Sequence, residues 1–217
     1  AREPGMFVFV DLDDFKLLND TLGHKAGDTA LIAMSRRLLS VAGDGAVVAR
    51  QSGDEFVIFL PGQRDGDEIH DWVEELVMRV RQPVTFDGLE FGLSCSVGVA
   101  PAEDAEVVPG VEDMVRRADL AMYHAKRSGK NRYSFFQPQM LTVSRQTAEL
   151  AARLKQLDPD QELFLVFQPR MQLEGRQLSG AEVLLRWRTR DGEDIPPHRF
   201  IPVAEETGQI LRIGYWV

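Results

Sequence analysis

The stretch from Ala46 to Leu60, AVVARQSGDEFVIFL, constrains this chain most. Two apolar runs flank a short polar tip, Ser52-Gly53-Asp54-Glu55. β-Branched and aromatic runs split by a glycine-containing turn predict a β-hairpin. Gly53 lets the backbone turn with positive φ and lets a ligand approach the main chain. Two carboxylates follow it directly, so bare amides stand beside a pair of acids. That combination suits a metal-bound phosphate. It is also the make-up of a solvated turn, because Gly and Asp are ordinary turn residues.

A second stretch, Phe7 to Asp28, reads FVFVDLDDFKLLNDTLGHKAGD. It holds D-x-D-x-F-K-x-x-N-D over Asp11–Asp20 and G-H-x-x-G-D over Gly23–Asp28. A third holds Tyr123-His124-Ala125-Lys126 and Gly129-Lys130-Asn131. Taken with Arg50–Phe56, these motifs in this order resemble the GGDEF family, the diguanylate cyclases, across about residues 5–136. Ser52 departs from the family pattern by standing where its first motif glycine usually is. If the φ of Ser52 is negative the change is harmless; if positive it costs about 1 kcal/mol or more. A preceding helix with a D-x-L-T-G-L-x-N-R pattern, which in the family covers the sheet and the guanine pocket, is missing, and the chain starts almost on a core strand. An excised fragment is therefore expected.

The pattern of the chain predicts an α+β fold. Met6–Val10 reads as a strand covered on both faces. Asp13 or Asp14 can cap the helix that follows, and Gly23 stops it. Asp28 or Thr29 is expected to cap a second helix carrying Leu31, Met34, Leu38 and Val41. After the hairpin, Asp65-Gly66-Asp67 opens a helix that Pro83 ends. Val84–Phe91 reads as a small hairpin, Leu93–Val99 as a core strand, Val111–Arg127 as a helix and Asn131–Phe136 as a last strand. The order βαββαβ with additions points to a ferredoxin-like sandwich. The lone cysteine, Cys95, sits in an apolar run and reads as a small core residue.

Beyond Phe136 the composition shifts. The expected division is a cyclase-like domain over 1–137, a linker helix over 138–160 and a further piece over 161–217. That piece carries Phe167-Gln168-Pro169, Glu182-Val183-Leu184 followed by Leu185-Arg186-Trp187, and Phe200-Ile201-Pro202 with Glu205. It resembles the opening of an EAL phosphodiesterase domain, a barrel of roughly 250 residues, of which only an incomplete start is present. Its matching site residues are Gln168, Glu182 and Arg186. One carboxylate cannot hold two metals, so the chain is expected to lack phosphodiesterase activity. The strands around Phe164–Phe167 and Val183–Leu185 are expected to expose apolar faces and free edges.

The resemblance implies condensation of two GTP molecules into cyclic di-GMP. A 3′-hydroxyl attacks an α-phosphate and pyrophosphate leaves. Divalent metal, Mg²⁺ or Mn²⁺, lowers the hydroxyl pKa and balances phosphate charge. The implied catalytic residues are Asp11, Asp54 and Glu55, with Asp11, Asp54, Glu55 and the Leu12 carbonyl as metal ligands. Substrate would be bound by Gly53, by the backbone amides of Asp14, Phe15 and Lys16 at a helix start, by Lys126 and Lys130 on the outer phosphates, and by Asn19 and Asp28 on guanine. A carboxylate accepts from the guanine N1 and N2 hydrogens, a donor pair adenine lacks. Locally, Asp11 also reads as a strand-end cap, Asn19 and Asp28 as helix-end residues, and the two lysines as charges at a helix C-terminus. His24 is expected to bond locally rather than bind metal.

A two-fold product from one-GTP sites implies a homodimer. Product inhibition is expected to be weak, because the positions of the family's inhibitory R-x-x-D are Gly43 and Ala46. An alternative role is a GTP-binding regulatory domain for a neighbouring phosphodiesterase. The formal net charge of −9 gives no support to nucleic-acid binding. No run of about 18 apolar residues exists, so a cytoplasmic domain is expected, in a parent that other domains could anchor to a membrane. No internal repeat or low-complexity segment is evident.

Overall fold

The structure is a computed structural model and describes residues 5–62, 66–101, 110–173 and 177–217. It divides into two compact units, Ala1–Leu141 and Thr142–Val217.

The first unit runs β1 (Gly5–Leu12), α1 (Phe15–Leu22), α2 (His24–Ala42), β2 (Val47–Ser52), β3 (Glu55–Pro61), α3 (Gly66–Val80), β4 (Val84–Phe86), β5 (Leu89–Phe91), β6 (Cys95–Pro101), α4 (Val111–Arg127) and β7 (Arg132–Phe135). Five strands form one sheet in the order β2-β3-β1-β6-β7. The first four are mutually antiparallel and β7 runs parallel to β6. The β2-β3-β1-β6 core is the ferredoxin-like order expected, with α4 and β7 added at one edge.

β1 lies at the centre because it is apolar on both faces. Val8, Val10 and Leu12 join Met34, Leu38, Ile58, Leu76 and Val97 in the larger core, against α2 and α3. Phe7 and Phe9 join Met114, Ala118 and Met122 of α4 in the other. Strand alternation sends successive side chains to opposite cores. Gly98 lets α4 lie directly on β6, since a Cβ there would stand 2.0 Å from the Ala118 carbonyl oxygen and 2.1 Å from the Met122 nitrogen. Arg37 of α2 fastens the end of α3, its guanidinium donating to the carbonyls of Val80, Gln82 and Pro83 at 3.0, 2.6 and 2.8 Å. Cys95 is wholly buried, and burial pushes its thiol up from the ordinary range, as an inert core residue requires.

The structure corrects the expected start of the second helix. α2 begins at His24, so neither Asp28 nor Thr29 caps it, and the Thr29 hydroxyl donates back to the Lys25 carbonyl at 2.9 Å. The expected caps leave His24–Gly27 ahead of the helix, but these residues are its first turn and Gly27 serves packing. A Cβ there would stand 2.0 Å from the Asn19 side-chain oxygen and 3.2 Å from the Phe15 ring. The last strand is also shorter than expected, because Lys130 and Asn131 both adopt left-handed backbone, φ 58° and 51°. Asp65, expected to open α3, lies outside the described residues.

The second unit contains most of α5 (Gln139–Gln156), then α6 (Pro159–Glu162), β8 (Leu163–Met171), β9 (Leu178–Arg188), β10 (Asp194–Ile195), α7 (Pro197–Glu206) and α8 (Ile210–Trp216). The strands form an antiparallel sheet in the order β10-β9-β8. Leu150 and Leu154 of α5, the segment expected as a linker, are buried with Leu163, Trp187, Phe200 and Ile213. The Trp187 and Phe200 rings meet edge to face at 5.4 Å. Buried Glu162 accepts from the Trp187 indole and from the Asp158 amide, both at 3.2 Å. Beyond this cluster the hairpin's apolar stripe emerges into solvent, with Phe167 66% and Leu178 67% exposed. No helix among the described residues is long and apolar enough to cross a membrane.

Candidate functional site

The site forms where the central strand runs out. Asp11 stands opposite Glu55 of β3 on one side and Ser96 of β6 on the other. The Leu12 amide donates to the Asp54 carbonyl at 3.2 Å, which ties the hairpin tip to the end of β1. A register shift between Arg50 and Ser52 bulges β2 just before the tip. Gly53 turns with φ 41°, and the Arg50 Nε donates to its carbonyl at 2.8 Å. Ser52 is not among the residues with positive φ, so its side chain brings no backbone strain. Its hydroxyl donates to the Glu55 carboxylate.

Burial dominates the electrostatics of Asp11, which is 5% exposed. Desolvation pushes its carboxyl above the usual carboxylate range; Lys126 opposes the rise, and the charges of Asp54 and Asp13 add to it. The Lys126 Nζ lies 2.7 Å from Asp11 Oδ1. The Lys130 Nζ lies 2.6 Å from Asp14 Oδ1, and that hydrogen bond holds the ammonium above the ordinary lysine range. Both lysines expected at the phosphates therefore pair with acids, Lys126 with Asp11 near the end of β1 and Lys130 with Asp14 at the N-cap of α1.

Asp14 takes left-handed backbone, φ 56°, at the N-cap of α1, and no side chain caps the helix there. The first-turn amides of Phe15 and Lys16 thus have no side-chain acceptor, the arrangement an anion calls for. Half-buried Asn19 lies over Gly27, the residue before Asp28, where α1 packs on α2. Asp28 is exposed inside α2 and free of a capping role. His24 is the first residue of α2, and among the described residues no three His, Cys, Asp or Glu groups stand together as a metal cage.

Sequence reasoning missed two acids. Asp13, read as a possible helix cap, is 2% exposed and accepts from the hydroxyls of Ser94 and Ser96, both at 2.7 Å, and from the Asn131 amide at 2.9 Å. It locks the end of β1 to β6 and to the left-handed turn after α4. The available signal was the pair of serines two apart in an otherwise apolar strand. Asp119 of α4 is half-buried, and burial followed by the charge of Glu55 raises its carboxyl above the usual range. Nothing in the periodicity of α4 marks it.

The oxygen donors suit a hard divalent cation. Mg²⁺ uses one or two carboxylates and fills its octahedron with phosphate oxygens and water. Asp11 and the neighbouring Asp54 supply carboxylates of that kind, with Asp11 held by Lys126 at 2.7 Å in this structure.

In the second unit, Gln168 and Glu182 are directly opposed across β8 and β9. Arg186 is four residues beyond Glu182 on β9, and even spacing puts all three on one face. Gln168 and Glu182 are exposed and Arg186 is half-buried.

The first unit is thus a mixed α/β domain whose candidate site joins strand-end acids, a glycine turn and an uncapped helix start. The chain belongs to the GGDEF family: the family described as diguanylate cyclase, GGDEF domain, matches residues 1–132. The EAL domain family matches residues 151–217. The bifunctional diguanylate cyclase/cyclic di-GMP phosphodiesterase MucR of Pseudomonas aeruginosa is 36% identical over 214 residues, 97% of this chain and 30% of that protein. The cyclic di-GMP phosphodiesterase PdeR of Escherichia coli is 33% identical over 97% of this chain and 31% of its own length. The chain therefore spans under a third of these curated relatives. Among solved structures, the GGDEF domain of YfiN (TpbB) from Pseudomonas aeruginosa has a TM-score of 0.61 at 29% identity, covering 66% of this chain and 83% of that one. An EAL/GGDEF domain protein from M. capsulatus has a TM-score of 0.57 at 38% identity, covering 63% and 86%.

Proposed function

We propose that this chain is part of a cyclic di-GMP signalling protein, and that its first unit condenses two GTP into cyclic di-GMP and pyrophosphate. The observation that carries this reading is the meeting of Asp11, Asp54 and the uncapped start of α1 at one sheet end. Asp11 and Asp54, with the Leu12 carbonyl and Glu55, would hold Mg²⁺ or Mn²⁺, which supplies charge neutralisation and lowers the hydroxyl pKa. The amides of Asp14, Phe15 and Lys16, with Gly53, would cradle phosphate. Asn19 and Asp28 would read guanine, and Lys126 and Lys130 would meet the outer phosphates.

Each site holds one GTP, so two copies must face each other to make a two-fold product. In the longer parent protein with GTP and Mg²⁺, specific activity should rise with enzyme concentration, and Asp54→Ala should abolish synthesis while leaving the fold intact. Unchanged synthesis by the variant would end the proposal. A second reading, a GTP-binding domain that regulates an adjacent EAL domain, draws on the engagement of both Asp11 and Glu55 with other side chains. GTP binding without cyclic di-GMP formation by the wild-type parent would select it. For residues 142–217 alone no hydrolysis is proposed, because among the described residues of β8 and β9 Glu182 is the lone carboxylate.

A further inference from the structure

Asp11 carries a charge that its surroundings must offset. Its side chain is 8% exposed, whereas that of Lys126 is 37% exposed. A buried carboxylate needs a cation or several donors. The neighbouring charges of Asp54 and Asp13 have the same sign, and Asp13 is occupied by Ser94, Ser96 and Asn131. Lys126 therefore supplies the counter-charge, at 2.7 Å from Oδ1. Lys130 does the same for Asp14 at 2.6 Å, close by in sequence at the end of α4.

A divalent cation drawn to Asp11 meets this ammonium, and like charges at that range repel. The lysine stem is flexible and partly in water, so it can swing away. It does so at little cost when another anion receives it.

We propose that Lys126 is an exchangeable counter-cation. It neutralises Asp11 in the free protein and releases it when nucleotide phosphates offer a new partner, so that the divalent cation binds together with nucleotide rather than ahead of it. The proposal rests on the reading of Asp11 as a metal ligand. Coupling of this kind is reciprocal: nucleotide strengthens metal binding by the factor with which metal strengthens nucleotide binding.

The test is titration of the 217-residue chain with Mn²⁺ alone, the free ion followed by its paramagnetic resonance. Lys126→Met and Lys126→Gln should each bind Mn²⁺ about fivefold more tightly than wild type, the upper end of what one partly exposed charge partner is worth. Adding Asp11→Asn to either should erase the gain. Unchanged or weaker Mn²⁺ binding in both lysine variants would overturn the proposal, as would a gain that survives Asp11→Asn. Loss of the folded circular dichroism spectrum in both would overturn it too, because Lys126 would then be a fixed structural partner. A thermal shift of the wild type with GTP and Mn²⁺ tests the underlying reading separately: its absence sinks the site assignment, whatever Mn²⁺ alone does.

Discussion

In residues 1–141 the acids at the sheet end are gripped from several elements, whereas in residues 142–217 Gln168 and Glu182 stand on an open hairpin face. Asp13 alone accepts bonds from three residues, brought from β6, from the segment just before it and from the turn after α4. Among the described residues neither Gln168 nor Glu182 has a comparable cage, and the apolar residues beside them, Phe167 and Val183, are 66% and 48% exposed. Matching motif residues therefore do not make equivalent sites. A site becomes defined when neighbouring elements lock its side chains, and that locking needs a sheet covered on both faces.

The comparison is sharpened most by packing variants. Gly98→Val should destabilise the first unit by roughly 3 kcal/mol or more, because its side chain meets helix backbone that cannot yield. Val183→Thr, on the exposed end of the second unit's hairpin, should change stability by no more than about 0.5 kcal/mol. Urea denaturation measures both. Comparable losses would show that the open hairpin is covered in solution.

A smaller effect concerns selectivity. Asn19→Ala and Asp28→Ala should each weaken GTP binding about tenfold and leave ATP binding unchanged, the scale of a lost hydrogen bond to the base. Calorimetric titration with each nucleotide checks this. Equal losses for both nucleotides would make the pair a packing device for the α1–α2 crossing.

The smallest expected effect is on pH dependence. The folded state raises the Asp11 carboxyl above its ordinary value of 3.8. Between that value and the raised one the folded state binds more protons than the unfolded, so Asp11 lowers stability as pH climbs through that window. Asp11→Asn should accordingly raise the melting temperature at pH 7, with the gain vanishing below the ordinary carboxylate value. A lower melting temperature at pH 7 would mean that the Lys126 pair outweighs the cost of burial.

Much of the fold was legible because its signals are local. The continuous apolar run of β1, the glycine tip between β2 and β3, and the helical spacing over Val111–Arg127 each identify an element from its own residues. The same locality made the motifs of Asp11–Asp20 and Arg50–Phe56 readable, and with them the family. Tertiary structure decided what depends on residues far apart in sequence. Lys126 reaches Asp11 across 115 positions, and Asn131 reaches Asp13 across 118. Such pairs leave no periodicity, because each partner is an ordinary polar residue in its own segment. The helical state of His24–Asp28 was hidden for a related reason. Its glycine and polar residues favour a loop locally, and the packing of α1 on α2 over Gly27 overrides that preference.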